Sequence, residues 1–144
     1  MPRLDEAVLE ILDRVRAELS SAPELAEVRA VVGGTRARPM PELPAIWVVP
    51  EPATQDAETY GAEETWTLPL GLAALVRSDD PEQGARDAAR LAALARRVAL
   101  RALPMPWVTW VRSSRADLEA RSTEANRTLY WADVTVEVRF SLEE

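Results

Sequence analysis

The chain has 144 residues, 47% hydrophobic and 28% charged, with a formal net charge of −7. That length fits one domain, which can bury about two-thirds of the surface its unfolded chain exposes. It has no Cys, no His and no Lys, which excludes disulfides, thiolate nucleophiles, zinc knuckles, histidine triads, Walker A loops and Schiff-base chemistry.

Residues 4–19 read as an amphipathic helix. Leu4, Val8, Ile11, Leu12, Val15 and Leu19 recur at helical spacing, with Asp5, Glu6, Glu10, Asp13, Arg14 and Arg16 between them. Asp5 and Glu6 suit the positive end of the helix dipole. The opening MPRLDEAVLE is acidic where a signal peptide is basic, so the product is expected to stay where it is made. Ser20-Ser21-Ala22-Pro23 ends the helix.

A short strand is predicted at 27–32, stopped by Gly33-Gly34. Three prolines and two arginines make 35–44 a loop. The apolar run 45–49, closed by Pro50 and Pro52, is the second strand. Residues 51–64 carry Glu51, Asp56, Glu58, Glu63 and Glu64 and no base, and read as a solvated loop.

The third strand, 65–77, alternates strictly. Trp66, Leu68, Leu70, Leu72, Ala74 and Val76 lie on one face, and Thr67, Pro69, Gly71, Ala73 and Arg77 on the other. Pro69 has no N–H for a ladder, which predicts an edge or a bulge there. Asp80-Pro81-Glu82-Gln83 then starts a second helix with an N-cap Asp and Pro at its first position. Its Ala-rich inner face runs to about residue 102, and Pro104 and Pro106 end it.

Residues 107–112 form a short strand, 113–126 an exposed polar loop, and 127–142 a long alternating strand. In that last strand Tyr130, Val134, Val136, Val138, Phe140 and Leu142 oppose Trp131, Asp133, Thr135, Glu137, Arg139 and Ser141. The fold class is therefore α+β: a two-layer sandwich, mainly antiparallel, with both helices on one face, ordered α-β-β-β-α-β-β. Nothing suggests a linker, an internal repeat or a second domain in 1–144.

Few residues suggest chemistry. Gly33-Gly34 lacks the GK[ST] and the helix of a phosphate loop, so it reads as a turn. Asn126-Arg127-Thr128 matches the glycosylation triplet, a pattern common by chance. Asp80, as a helix cap, has no need of a metal. Carboxylate chemistry alone remains, so no catalytic, cofactor-binding or metal-ligating residue is expected, and the chain is read as a non-enzyme. All 17 positive charges are Arg, and in an acidic chain they bind nucleic acid only if gathered on one face. No apolar run reaches the roughly 18 residues that span a bilayer, and no membrane partner is expected.

All five tryptophans, Trp47, Trp66, Trp107, Trp110 and Trp131, fall in predicted strands. Trp66 and Trp110 read as core. Trp131 lies on the polar face of the last strand beside Asp133, Glu137 and Arg139, a composition typical of protein interfaces. Long strands also imply sheet edges, which pair with partners when unprotected. Head-to-tail pairing of identical copies closes a ring when the rotation fits.

The layout resembles a known family. An N-terminal helix, the Pro-bounded strand PAIWVVPEP and a long third strand ending in SDDPEQ come first. An Ala/Leu helix, a short strand and the alternating LYWADVTVEVRFSL follow. Across nearly the whole chain this resembles the tail terminator, or tail completion, proteins of long-tailed bacteriophages. The resemblance implies a homo-hexameric ring in the virion, at the head-proximal end of the tail and assembled in the host cytoplasm. Such a ring ends tail-tube polymerisation and forms the joint with the head. Its partners would be further copies of itself, the tail tube protein and a head-completion or neck protein.

DNA would pass through the lumen of that ring without specific binding. Six copies at −7 each would bring −42 together, which repels phosphates. In that frame Asp56, Glu58, Glu63 and Glu64 would line or rim the lumen. Arg36 and Arg38 would meet an acidic tube or neck surface, and Trp131, Asp133, Glu137 and Arg139 a neighbouring subunit. Head–tail connectors and minor tail proteins share similar layouts and are alternatives, as are a non-phage oligomeric binding module and a carboxylate enzyme.

Overall fold

Helix α1 (Leu4–Ser21) buries Ala7, Ile11, Val15 and Leu19 as one stripe, the face its apolar period defines. The computed structural model describes residues 3–33, 41–56, 63–122 and 128–143, without the side chains of Glu63 and Glu143. Helix α2 (Pro81–Ala102) starts as its sequence predicts. The Asp80 carboxylate accepts the backbone N–H of Glu82 at 3.0 Å and of Gln83 at 3.4 Å, satisfying two of the orphan donors of the first turn.

Small residues on the inner face of α2 (Gly84, Ala88, Ala92, Ala95 and Ala99) let it lie close to the sheet. At its far end Arg14 of α1 reaches across, its Nε donating to the carbonyl of Ala102 at 2.6 Å. A cation from one helix thus caps the negative end of the other.

The strands are β1 (Ala30–Gly33), β2 (Ala45–Pro50), β3 (Thr54–Gln55), β4 (Glu63–Arg77), β5 (Val108–Ser122) and β6 (Leu129–Glu143). Their order in the sheet is β1-β2-β4-β6-β5, with β3 also paired to β4. The β1–β2 pair is parallel and every other pair antiparallel. The expected α+β sandwich is therefore present, with β3 as an added strand inside the segment read as a solvated loop.

Both helices cover the same face. Leu68, Leu70, Leu72, Ala74 and Val76 of β4 join Val134, Val136, Val138 and Phe140 of β6 beneath them in one core. Across the sheet α1 lies against β1 and β2, while α2 lies against β4, β6 and β5. Core and sheet face thus follow the strict alternation of β4 and β6.

Three expectations change. Residues 113–122 continue β5 rather than forming a loop. This strand is an edge, mostly exposed, and three register shifts interrupt its pairing with β6. An edge strand that is mostly exposed and repeatedly shifted in register has no regular apolar alternation for a periodicity reading to find.

Pro69 is neither at a sheet edge nor in a bulge, because β4 is central and Pro69 sits opposite Glu137 of β6. A residue's N–H and C=O point to the same side of a strand, and the Pro69 carbonyl accepts from the Glu51 N–H at 2.9 Å. Its missing donor therefore faces the gap between the end of β2 at Pro50 and the start of β3 at Thr54, where the ladder is already broken. Trp107, third, falls one residue ahead of β5 and packs edge-on against Phe140, with ring centroids 5.7 Å apart.

Candidate assembly surface

Among the described residues, no helix covers the second face of the sheet. Alternation along β6 sends Trp131, Asp133, Thr135, Glu137 and Arg139 to this open face, all half-buried. Register then sets their neighbours: Leu75 and Arg121 beside Trp131, Ala73 and Asp117 beside Asp133, Pro69 and Arg112 beside Glu137. Towards β2 the face is apolar, with Ala73, Leu75 and Trp47 adjacent, and Trp47 is only 8% exposed. Its indole N–H is buried and has no acceptor among the described residues.

The charges on this face are largely paired within the chain. Glu137 accepts from both Nε and Nη2 of Arg112 at 2.9 Å, and the same guanidinium stacks 4.4 Å from the centre of the Trp110 ring. Arg121 bonds Asp117 at 2.9 Å and lies 5.7 Å from the centre of the Trp131 ring. Arg139 pairs with Asp56, which follows β3. Asp133 stands directly opposite Asp117 on the next strand, a like-charge pairing that costs stability. Arg112, Arg115, Arg121 and Arg139 thus stand among Asp56, Asp117, Asp133 and Glu137, so acids and arginines are interspersed across the centre of this face.

The residues singled out from sequence are thus only partly brought together. Trp131, Asp133, Glu137 and Arg139 share the open face, and Asp56, grouped from sequence with the lumen acids, bonds Arg139 instead of standing apart. Glu64 accepts from the Trp66 indole N–H at 3.0 Å. Arg36, Arg38 and Glu58 lie outside the described residues, as does the side chain of Glu63. Trp66 packs against the core as expected, whereas Trp110 lies on the open face next to Arg139 and not in the core. Arg112, Arg115, Asp117 and Arg121 belong to the face but were not singled out. The signal that could have found them is their match, row by row, to the polar face of β6.

Both sheet edges are blunted. The β5 edge has register shifts between Val108 and Trp110, Ser113 and Arg115, and Asp117 and Arg121. The opposite edge, β1, is four residues long and has α1 packed beside it. Bulges and short edge strands both discourage strand addition, so the edges offer poor docking sites compared with the side-chain surfaces.

One such surface is a groove of about 390 Å³ between the C-terminal end of α2 and the start of β5. Leu100, Pro104, Met105, Val108, Trp110 and Arg112 line it. Among the described residues no cluster of three acids is placed to hold a metal ion, and no helix is long and apolar enough to cross a membrane.

One pH-sensitive contact joins the turn after α1 to the end of α2. Glu24, in the 3-10 turn Pro23–Leu25, accepts from both Nη atoms of Arg101, at 2.9 and 3.1 Å. That hydrogen bonding holds the Glu24 carboxyl below its ordinary range and raises Arg101.

Neither a protein-family model nor a curated protein matches this chain. Among solved structures, the chain is similar to one from the virion of a native gene transfer agent (GTA) particle. The two share 14% sequence identity over 90% of this chain and 93% of that one, with a TM-score of 0.56. Agreement over nearly the whole of both chains at so low an identity means that the two share a fold.

Proposed function

We propose that this protein is a structural component of a phage-like virion, and more specifically a ring that caps the tail tube at its head-proximal end. The observation that carries the reading is the shared fold, end to end, with a chain that belongs to a virion particle. In this reading the protein acts by assembly and not by catalysis. Copies of the chain contact one another, the tube and the neck, and DNA passes through the opening that they surround. The net charge of −7 per chain favours that passage, because a strongly acidic ring repels phosphates and does not retain them.

Deletion of the gene from a particle-producing strain, with electron microscopy of the products, tests the reading. A cap that ends polymerisation predicts over-long tail tubes detached from filled heads, restored to normal length by the wild-type gene. Particles of normal tail length and normal DNA delivery in the deletion strain would refute it.

A further inference from the structure

Two charges on the open face are left unanswered. Asp133 on β6 stands directly opposite Asp117 on β5. Asp117 has Arg121 at 2.9 Å, whereas the Asp133 carboxylate has no ion pair or hydrogen bond among the described residues. One row away Arg115 stands opposite Thr135, exposed, and it too bonds no carboxylate among the described residues. The face thus holds an unpaired acid beside a second acid, and next to them a guanidinium that reaches neither.

Register sets the two rows concerned. From β4 through β6 to β5 the first reads Gly71, Thr135 and Arg115, and the second Ala73, Asp133 and Asp117. Small residues on β4 keep the floor of the face low, which lets a second sheet approach to the usual spacing of about 10 Å.

We propose that this face docks on the same face of a second copy of the chain, about a two-fold axis that runs across the strands between residues 133 and 135. Arg115 of each copy then lies over the Asp117 and Asp133 pair of the other. A two-fold contact requires a surface that complements itself. An unpaired acid and an unpaired base, exchanged by one rotation, meet that requirement twice. The partner's guanidinium offsets the like-charge cost of Asp133 beside Asp117.

The same rotation sets Ala73 over Gly71 and Leu75 over Pro69, which are uncharged. It brings Arg112 towards Arg121, and each of these already holds a carboxylate of its own chain. The face is about 27 Å long from Trp131 to Arg139 and about 19 Å wide across four strands. That size lies at the small end of specific interfaces, so the dimer is reversible and depends on concentration. The contact goes beyond the tail-cap reading and does not rest on it. A two-fold contact closes at two copies, whereas a ring needs a different, head-to-tail one.

Matched charge reversals test the proposal, with mass read by light scattering over a range of concentrations. Wild type is expected to approach twice 15.9 kDa as concentration rises, and to fall back in high salt. Arg115→Glu puts a carboxylate over two carboxylates in both halves of the contact, and Asp133→Arg sets an arginine against an arginine. Each variant alone is expected to lose at least about tenfold in association. Mixed in equal amounts, the two are expected to pair at about wild-type strength. In the mixed pair the reversed charges meet each other, and so do the two native ones.

Arg115 is exposed and Asp133 half-buried on the open face, and unchanged thermal unfolding verifies that the variants still fold. Asp133→Asn is a milder variant. It is expected to raise the Tm of the dilute single chain, by removing a like-charge pairing, and yet to weaken the dimer. A wild-type chain that stays single at every concentration, an assembly whose mass either reversal leaves unchanged, or a mixture no heavier than its components would each overturn the proposal. Those outcomes leave the tail-cap reading standing. That reading fails separately, on tails of normal length in the deletion strain.

Discussion

Gly84 provides a sharp test of the packing between α2 and the sheet. Placing Ala in a helix interior usually stabilises it by about 0.5–1 kcal/mol relative to Gly, so propensity alone predicts that Gly84→Ala raises stability. Packing predicts the opposite. A Cβ on Gly84 would lie 2.4 Å from Cδ2 of Tyr130, 2.8 Å from Cε2 and 2.9 Å from Cγ. Comfortable carbon contacts lie near 3.5–4.0 Å, so helix or ring must move by roughly 1 Å. Tyr130 is only 7% exposed and is held between Val76 and Ser122 on the neighbouring strands.

Overpacking of this kind costs about 1–3 kcal/mol, and with three ring atoms involved the upper part of that range applies. After the gain in helix propensity, the net loss is about 2 kcal/mol. For a domain of this size that corresponds to a fall in Tm of roughly 4–8 °C. Thermal unfolding followed by circular dichroism measures it. The variant Tyr130→Leu should abolish the penalty, so that adding Gly84→Ala in that background is neutral or stabilising. A Gly84→Ala chain with a higher Tm than wild type would refute the close approach of α2 to β6.

Other consequences follow from single contacts. Asp80→Ala removes the cap on α2 and is expected to cost about 1 kcal/mol in chemical denaturation, while Asp80→Asn should cost much less. Because hydrogen bonding to Arg101 holds the Glu24 carboxyl below the ordinary glutamate range, its contribution to stability is present above that range and lost as pH falls through the depressed value. Glu24→Gln should therefore destabilise the protein at neutral pH, with the difference shrinking as the solution is acidified below 4.5. A gap that stays constant with pH would contradict the pairing. Arg139→Ala removes one partner of Asp56. Hydrogen exchange at Thr54 and Gln55 is expected to accelerate while the centre of β4 and β6 stays protected.

What the sequence determines by itself here is periodicity and punctuation. The 3.6-residue stripe of α1, the strict alternation of β4 and β6, and the Asp80-Pro81 start of α2 are local patterns, and each element appears where its pattern places it. The polar side of β6, with Trp131, Asp133, Glu137 and Arg139, was legible for the same reason: alternation assigns faces without any knowledge of partners.

Tertiary structure alone decided the rest. An edge strand such as β5 owes its existence to hydrogen bonds with β6, not to its own side chains, so its polar residues read as a loop. Pro69 is tolerated in the central strand only because two neighbouring strands end and begin opposite it. Strand order places α1 over β1 and β2 at one end of the sheet and the α2–β5 groove at the other. Local pattern records which face of an element is dry. Which elements become neighbours depends on contacts between residues far apart in the chain, and these form only when the sheet assembles.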